Sequence, residues 1–380
     1  MAGLVLSEEQ QMLKDAAQGF LQDHAPVGQL RKLRDERDPL GYVPELWQGM
    51  AELGFTGTLV PEAFGGSAFG HVGMGQISEQ AGRNLSASPL FATAIVGASA
   101  IALGGSESQC EALLPALVDG SLLTALAVDE TARHAPTQVR TQATQSGDGY
   151  RLSGEKRFVI DGHIANKLIV SARSAGEPGD TQGITLFLLD ADAAGVSIER
   201  TVMVDSRNAA VVRLDNVQVG AEAVLGDPGA GYDLLQQVLD IGNAQLAAEL
   251  LGISQEVFER TVQYLKERKQ FGVLIGSFQA LQHRAAHWFS EIELVKSVVL
   301  RALMALDEGA ANAAQLVSLA KAKASEVAEL STNEGVQMHG GIGMTDEFDI
   351  GLFLKRARPA QQLFGDYGYH ANRFALLGGY

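Results

Sequence analysis

A switch of hydrophobic period sets the strongest limit on how this chain can fold. Between Thr124 and about Leu225 the sequence runs in short β-rich stretches: Tyr150-Arg-Leu-Ser-Gly-Glu-Lys-Arg-Phe-Val-Ile160, Lys167–Val170, Ile184–Leu189 and Ala210–Leu214, separated by Gly, Asp and Pro. No helical segment lies between them, so they are expected to pair as an antiparallel sheet or barrel, not as βαβ units. No G-x-G-x-x-G follows any strand, which argues against a Rossmann cofactor site. Both flanks carry helical spacing instead. Ser7-Glu-Glu-Gln10 has the form of a capping box ahead of Met12, Ala16, Ala17 and Phe20, and Pro26 ends that helix. A second helix is expected from about Pro44, through Trp47, Met50 and Leu53, to Gly54. The loop Thr58–Gly66 follows, and then more helix from about Val72 to Val118. After the Gly226-Asp-Pro-Gly-Ala-Gly231 linker, helices are expected from Tyr232 to about Arg268, Phe278 to Leu306 and Ala313 to Met338, with a short last one after Pro359. Long helices with short connections pack as a bundle. The predicted fold is therefore mainly α with a central β domain: an N-terminal α domain at 1–120, an antiparallel sheet or barrel domain at 121–225 and a C-terminal helical bundle at 226–380.

Composition narrows the partners. The 380 residues can bury sizeable cores. A net charge of -16 and a pI near 4.9 argue against nucleic acid or an anionic membrane as a partner, since either needs a basic face. The single cysteine, Cys110, leaves no intrachain disulfide framework and no cysteine metal site, which points to a reducing compartment. The N-terminus lacks a basic stretch followed by a long apolar run, and nowhere do about 18 apolar residues run together. The expected location is cytoplasmic.

The chemistry concentrates at one chain reversal. Arg268-Lys-Gln-Phe-Gly-Val-Leu-Ile-Gly-Ser-Phe-Gln279 sits between two strongly helical segments. Gly272 and Gly276 let the backbone turn and approach closely, Arg268 offers a fork of donors suited to phosphate, and Phe271 and Phe278 offer flat apolar surface. The ligand suggested is a nucleotide diphosphate; the simpler alternative is a plain helix hairpin. His283 and His287 have the spacing of paired metal ligands but no evident third partner, and read as a core or surface pair. Lys321 and Lys323 with Glu326 and Glu329 read as a solvated charged face.

The wording Arg268-x-Gln270-Phe271-Gly272-x-x-Ile275-Gly276-x-Phe278-Gln279 resembles the FAD-binding signature of the acyl-CoA dehydrogenase family. Leu53-Gly54-Phe55, Val60-Pro61-Glu62 and Phe64-Gly65-Gly66 resemble the family's N-terminal helical domain. The resemblance covers essentially the whole chain and implies the family's fold, mainly α with a central β domain: an N-terminal α domain, an antiparallel β-barrel domain and a C-terminal four-helix bundle. It implies a tetramer in which each FAD lies where the β domain meets the bundle of one subunit, while a neighbour's bundle holds the ADP half. On that pattern Arg268 would take the pyrophosphate, with Gln270, Phe271, Phe278 and Gln279 around the nucleotide. Gln337, Met338, His339, Gly340 and Gly341 would complete the cradle. The simpler alternative, that Gly340 and Gly341 merely cap the preceding helix, is compatible with this role.

The half-site for the flavin ring departs from the pattern. Where the family reads Thr-Glu-Pro followed by Gly-Ser-Asp, this chain has Val128-Asp129-Glu130-Thr-Ala-Arg-His-Ala-Pro136, and only Glu130 is kept. The Trp-Ile-Thr/Ser-Asn-Gly strand reads Phe158-Val159-Ile160-Asp161-Gly162. The catalytic Glu is missing too: Phe364 stands at its position, and Gly242 at the alternative one, with Asn243 where an Arg is usual. Asp366 is the candidate substitute base, although Asp beside Gly is also a common capping residue. Asp240 matches a family position that touches the CoA tail, and Asn243 is placed with it as substrate-binding.

The segments Met344–Asp349, Leu352–Ala357 and Leu363–Asp366 resemble subunits of two-gene acyl-CoA dehydrogenases that degrade steroid side chains and dicarboxylic acids, in which one subunit lacks the base. The resemblance implies α,β-dehydrogenation of an acyl-CoA thioester, with electron-transferring flavoprotein as acceptor. The chain would be the base-lacking member of a heterotetramer. The alternatives are a homotetrameric dehydrogenase using Asp366 and a flavin-free scaffold with the same fold.

Overall fold

The computed structural model describes residues 4–380. The chain groups into two compact units. One holds the described residues up to Lys32, His71–Ser86 and Asn243–Tyr380, and the other holds Leu33–Gly70 and Ala87–Gly242.

The first unit is helical. Helix α1 (Glu8–His24) starts at the capping box read from the sequence: the Gln10 amide donates to Ser7 Oγ and the Ser7 amide to Gln10 Oε1. Helix α2 (Val27–Glu36), which begins in this unit, directly follows Pro26. The sequence expectation has Pro26 as a stop only, yet Val27, Leu30 and Leu33 recur at helical spacing just after it and are buried. Helix α3 (Pro44–Glu52) belongs to the other unit, and α4 (Gly70–Asn84) returns to the first.

The region expected as more helix to Val118 is helical in four parts. After α4 come a wide helical turn of π type (Leu90–Gly97), α5 (Ala98–Gly104) and α6 (Glu107–Val118), which begins with a second capping box at Ser106 and Gln109. All eight residues of the wide turn are buried.

The bundle comprises the C-terminal part of α7 (Gly231–Glu267), α8 (Gln279–Asp307), α9 (Ala313–His339), α10 (Ile350–Gln362) and α11 (Tyr367–Leu377). Pro359 lies inside α10, a helix with no counterpart in the sequence expectation, and the short last helix expected after Pro359 is α11. Helices α4 and α7 touch through glycine: a Cβ on Gly252 would stand 1.9 Å from the Glu79 carbonyl oxygen, and one on Gly82 would stand 2.1 Å from that of Glu249. Trp288 is fully buried and donates to Ser331 Oγ at 2.7 Å, tying α8 to α9.

The second unit is built on an eight-stranded sheet of β1 (Thr124–Ala127), β2 (Gln142–Ser146), β3 (Gly149–Ile160), β4 (Lys167–Arg173), β5 (Ile184–Asp190), β6 (Val196–Val202), β7 (Asn208–Val219) and β8 (Val224–Leu225). The order is β6-β7-β3-β2-β4-β5-β8, with β1 also on β4. Most pairs are antiparallel as expected, but β1 runs parallel to β4 in the register Thr124↔Lys167, and β2 meets β4 in parallel at Gln142↔Arg173. The long loop 128–141 carries the chain back to the same direction, which a tight hairpin cannot do. Leu152, Leu168, Val170, Phe187, Val212 and Val217 fill the core of the sheet. Register shifts in β3 against β7, between Leu152 and Gly154 and between Lys156 and Val159, bend the strand.

Candidate functional site

At the end of α7 the chain reverses through a two-stranded hairpin, β9 (Lys269–Gln270) against β10 (Val273–Leu274). Its two central residues, Phe271 (φ 54°) and Gly272 (φ 80°), are both left-handed, as a twisted two-residue hairpin requires. The Arg268 backbone is fixed on both sides: its amide donates to the Tyr264 carbonyl, and its carbonyl accepts from Ile275, each at 2.9 Å. The Arg268 side chain is left exposed with those of Lys266, Lys269 and Gln270. Phe271 is 90% exposed and meets Phe278 edge-on, 6.2 Å between centroids, and Gln279 opens α8 on the surface. Gly276 does make a close backbone approach, but to α7: a Cβ there would lie 2.8 Å from the Leu265 carbonyl oxygen.

The second cradle segment lies at the same end of the first unit. Tyr264 stacks on His339 at 4.4 Å, and its hydroxyl donates to the His339 carbonyl at 3.4 Å. The stack therefore ties the end of α9 to the turn of α7 that carries Arg268. Met338 and His339 are buried, with His339 Nδ1 2.7 Å from the Gly335 carbonyl. Burial lowers the His339 pKa against the opposing pull of the Gly335 carbonyl. Gln337, Gly340 and Gly341 are exposed, Gly340 has φ 65°, and open space lies where a Cβ of either glycine would point. Of the residues grouped by sequence, Met338 and His339 thus build the floor, while Arg268, Gln270, Phe271, Phe278, Gln279, Gln337, Gly340 and Gly341 are open to a ligand. His283 and His287 are exposed on α8, and among the described residues no three His, Cys, Asp or Glu side chains cluster as metal ligands.

The turn Leu363–Asp366 is clamped from below. Phe364 is buried in a left-handed conformation, φ 55°, and its carbonyl accepts from Asn243 Nδ2 at 3.3 Å and lies 3.1 Å from His370 Nε2. Lys321, fully buried, donates to the carbonyls of Gln361, Leu363 and Gly365 at 3.1, 2.9 and 3.0 Å. This corrects the sequence reading of Lys321 as part of a solvated face. Helix α9 is central in the bundle, and the helical period turns Val317, Lys321 and Ser325 inward while Lys323 pairs with Glu291 and Glu326 at 2.7 Å each. Burial pushes the Lys321 ammonium down to about 7, against the pull of the Asp366 carboxylate. Asp366 itself is exposed and caps α11, accepting from the Tyr369 amide at 2.8 Å. Asp240 and Asn243 are both buried on α7.

In the second unit, the Asp129 carboxylate lies 2.9 and 3.1 Å from His134 Nδ1. Glu130 accepts from the amides of Arg140 and Thr141 and from Lys156 Nζ at 2.8 Å. Burial opposes the charge of Glu130, but Lys156 and the Thr141 amide outweigh it and hold the carboxyl below its usual range. Phe158 sits in the second irregularity of β3 with φ 53° and is 44% exposed, and Asp161 is buried with φ 55°.

Comparison with known proteins matches three consecutive segments: the acyl-CoA dehydrogenase N-terminal domain over residues 7–121, the middle domain over 125–217 and the C-terminal domain over 229–375. A probable acyl-CoA dehydrogenase of Bacillus subtilis, YngJ, is 30% identical over 360 residues, 93% of each chain. The chain belongs to the acyl-CoA dehydrogenase family. Subunit CarC of the caffeyl-CoA reductase-Etf complex of Acetobacterium woodii is 27% identical over 93% of this chain and 94% of that one. Among solved structures, a variant of the Tcur3481-Tcur3483 steroid ACAD is 32% identical over 98% of both chains, with a TM-score of 0.88. The acyl-CoA dehydrogenase fold, mainly helical with a central sheet domain, follows, and the members of this family are FAD-dependent oxidoreductases.

Proposed function

We propose that this chain is the base-lacking subunit of an acyl-CoA dehydrogenase assembly, and that its hairpin and the Gln337–Gly341 segment hold the ADP half of an FAD bound in a partner subunit. The observation that carries this reading is a contrast within the first unit. Arg268, Gln270, Gln337, Gly340 and Gly341 are exposed and free to meet a ligand, whereas the position expected to bear the base holds a buried Phe364. Arg268 would pair with the pyrophosphate, and the bare backbone of Gly340 and Gly341 would approach it without a Cβ in the way. FAD, when bound, supplies the hydride acceptor for α,β-dehydrogenation of the thioester. This chain's residues bind and orient its nucleotide end.

The homotetrameric alternative, with Asp366 as base, is disfavoured because that carboxylate is exposed and spent on the cap of α11. A flavin-free scaffold would have no use for the cradle. The likeness to a steroid ACAD named for a pair, and to a subunit of a complex with Etf, supports a hetero-tetramer handing electrons to an electron-transferring flavoprotein. Steroid side-chain or other lipid acyl-CoA thioesters are the substrate class in keeping with it. Among the described residues, no helix is long and apolar enough to cross a membrane.

Arg268→Ala tests the cradle. Losing a charged hydrogen bond to a phosphate costs about 1.5–3 kcal/mol, so the assembly should lose FAD on dilution at concentrations roughly ten- to hundredfold higher than the unaltered one. Unchanged flavin retention would show that the cradle is not used.

A further inference from the structure

Resting on that function, we infer that the segment Val128–Pro136 closes this chain's own flavin-ring half-site through the Asp129–His134 contact, so that the chain engages a flavin nucleotide by its ADP half alone. An isoalloxazine edge presents carbonyl oxygens and ring nitrogens that call for donors. The segment that would face them is turned onto itself.

Asp129 stands at the position where a threonine hydroxyl is expected. An ionised carboxylate only accepts, and both its oxygens already lie within 3.1 Å of His134 Nδ1. The Thr131 hydroxyl donates to the Arg133 carbonyl at 2.8 Å, and the Asp129 carbonyl accepts from the Arg157 amide at 2.7 Å. Glu130, the one residue shared with the family pattern, is taken up by Lys156 and two backbone amides. On the backing strand Ile160 brings no polar atom. Side-chain exposures of 4% for His134 and 13% for Asp129 mean that parting the two strands a largely buried carboxylate and imidazole. A flavin ring must do that to enter, and it offers no compensating partner for the carboxylate beyond a single N–H. The residues present therefore do not fit the ring.

The test is calorimetric titration of the full-length chain with FAD and, separately, with ADP. The expected dissociation constants agree within about threefold, because the ring adds nothing. FAD binding more than about tenfold tighter than ADP overturns the inference. Replacing the pair, Asp129→Thr with His134→Ser, is expected to move the ratio toward FAD. A folded double variant with an unchanged ratio overturns the assignment of closure to this contact. The two nucleotides also separate the inference from the function beneath it. If neither binds, the cradle reading fails while the closed ring half-site stands, and if FAD binds where ADP does not, the closed half-site fails.

Discussion

Asp366 is the residue on which the rival readings differ most sharply, and two substitutions separate its roles. As the N-cap of α11 it accepts one hydrogen bond from the Tyr369 amide. Removing such a cap with Asp366→Ala costs about 0.5–2 kcal/mol, whereas Asp366→Asn keeps an equally good cap and costs at most a few tenths. A loss of about 1 kcal/mol raises local opening of α11 roughly fivefold, so amides of Tyr367–Leu377 should exchange that much faster in the alanine variant and almost unchanged in the asparagine variant. Removing the carboxylate also takes away the one charge that favours the protonated form of Lys321. Hydrogen exchange by mass spectrometry reads the cap, and turnover of the reconstituted assembly reads the chemistry. Turnover should stay within about twofold in both variants, since loss of a true general base costs roughly 10²–10⁴. A hundredfold loss in Asp366→Asn, with α11 exchange unchanged, would refute the capping assignment and make Asp366 the base.

Lys321 gives a pH signature. In the folded chain its amine holds a proton only below about 7, while an unfolded lysine holds one to about 10.4. Between those values the unfolded chain binds more protons, so this group's contribution to stability rises with pH across that window. Lys321→Met should flatten the change in urea midpoint between pH 7.5 and 9.5 relative to the unaltered chain, and identical slopes would contradict the burial. Gly252→Ala places a Cβ 1.9 Å from the Glu79 carbonyl oxygen, where neither helix backbone can yield cheaply. Chemical denaturation should show a loss of about 2 kcal/mol or more, and a loss below about 0.5 would mean that α4 and α7 part without strain.

Much of this was legible in the residues because the signals were local. The capping box at Ser7 and Gln10, the period change at Thr124 and the Gly272 turn each depend on a few neighbouring positions, and the structure places each where the pattern did. What escaped depends on partners far along the chain. Helix α2 is polar on most sides and is held by contacts such as Arg31 to Asp346 and Asp349 at 2.8 Å, more than 300 residues away in sequence. Lys321 looks like a surface residue until the carbonyls of Gln361, Leu363 and Gly365 are brought beneath it. Gly276 carried a correct expectation of close approach with the wrong partner, since composition says that a backbone will come near and not what it will meet. The contact of Asp129 with His134 spans only five residues, yet a loop without periodicity gives no sign of which side chains face each other.

The central claim is the division of labour between two half-sites, and flavin stoichiometry tests it most directly. Purified alone, the chain should carry little FAD and dehydrogenate no acyl-CoA appreciably. Assembled with a base-carrying family member, it should form an α2β2 tetramer whose absorbance at the flavin maximum corresponds to two FAD per tetramer. Four tightly bound FAD in a homotetramer of this chain, with turnover on a simple acyl-CoA, would contradict the account.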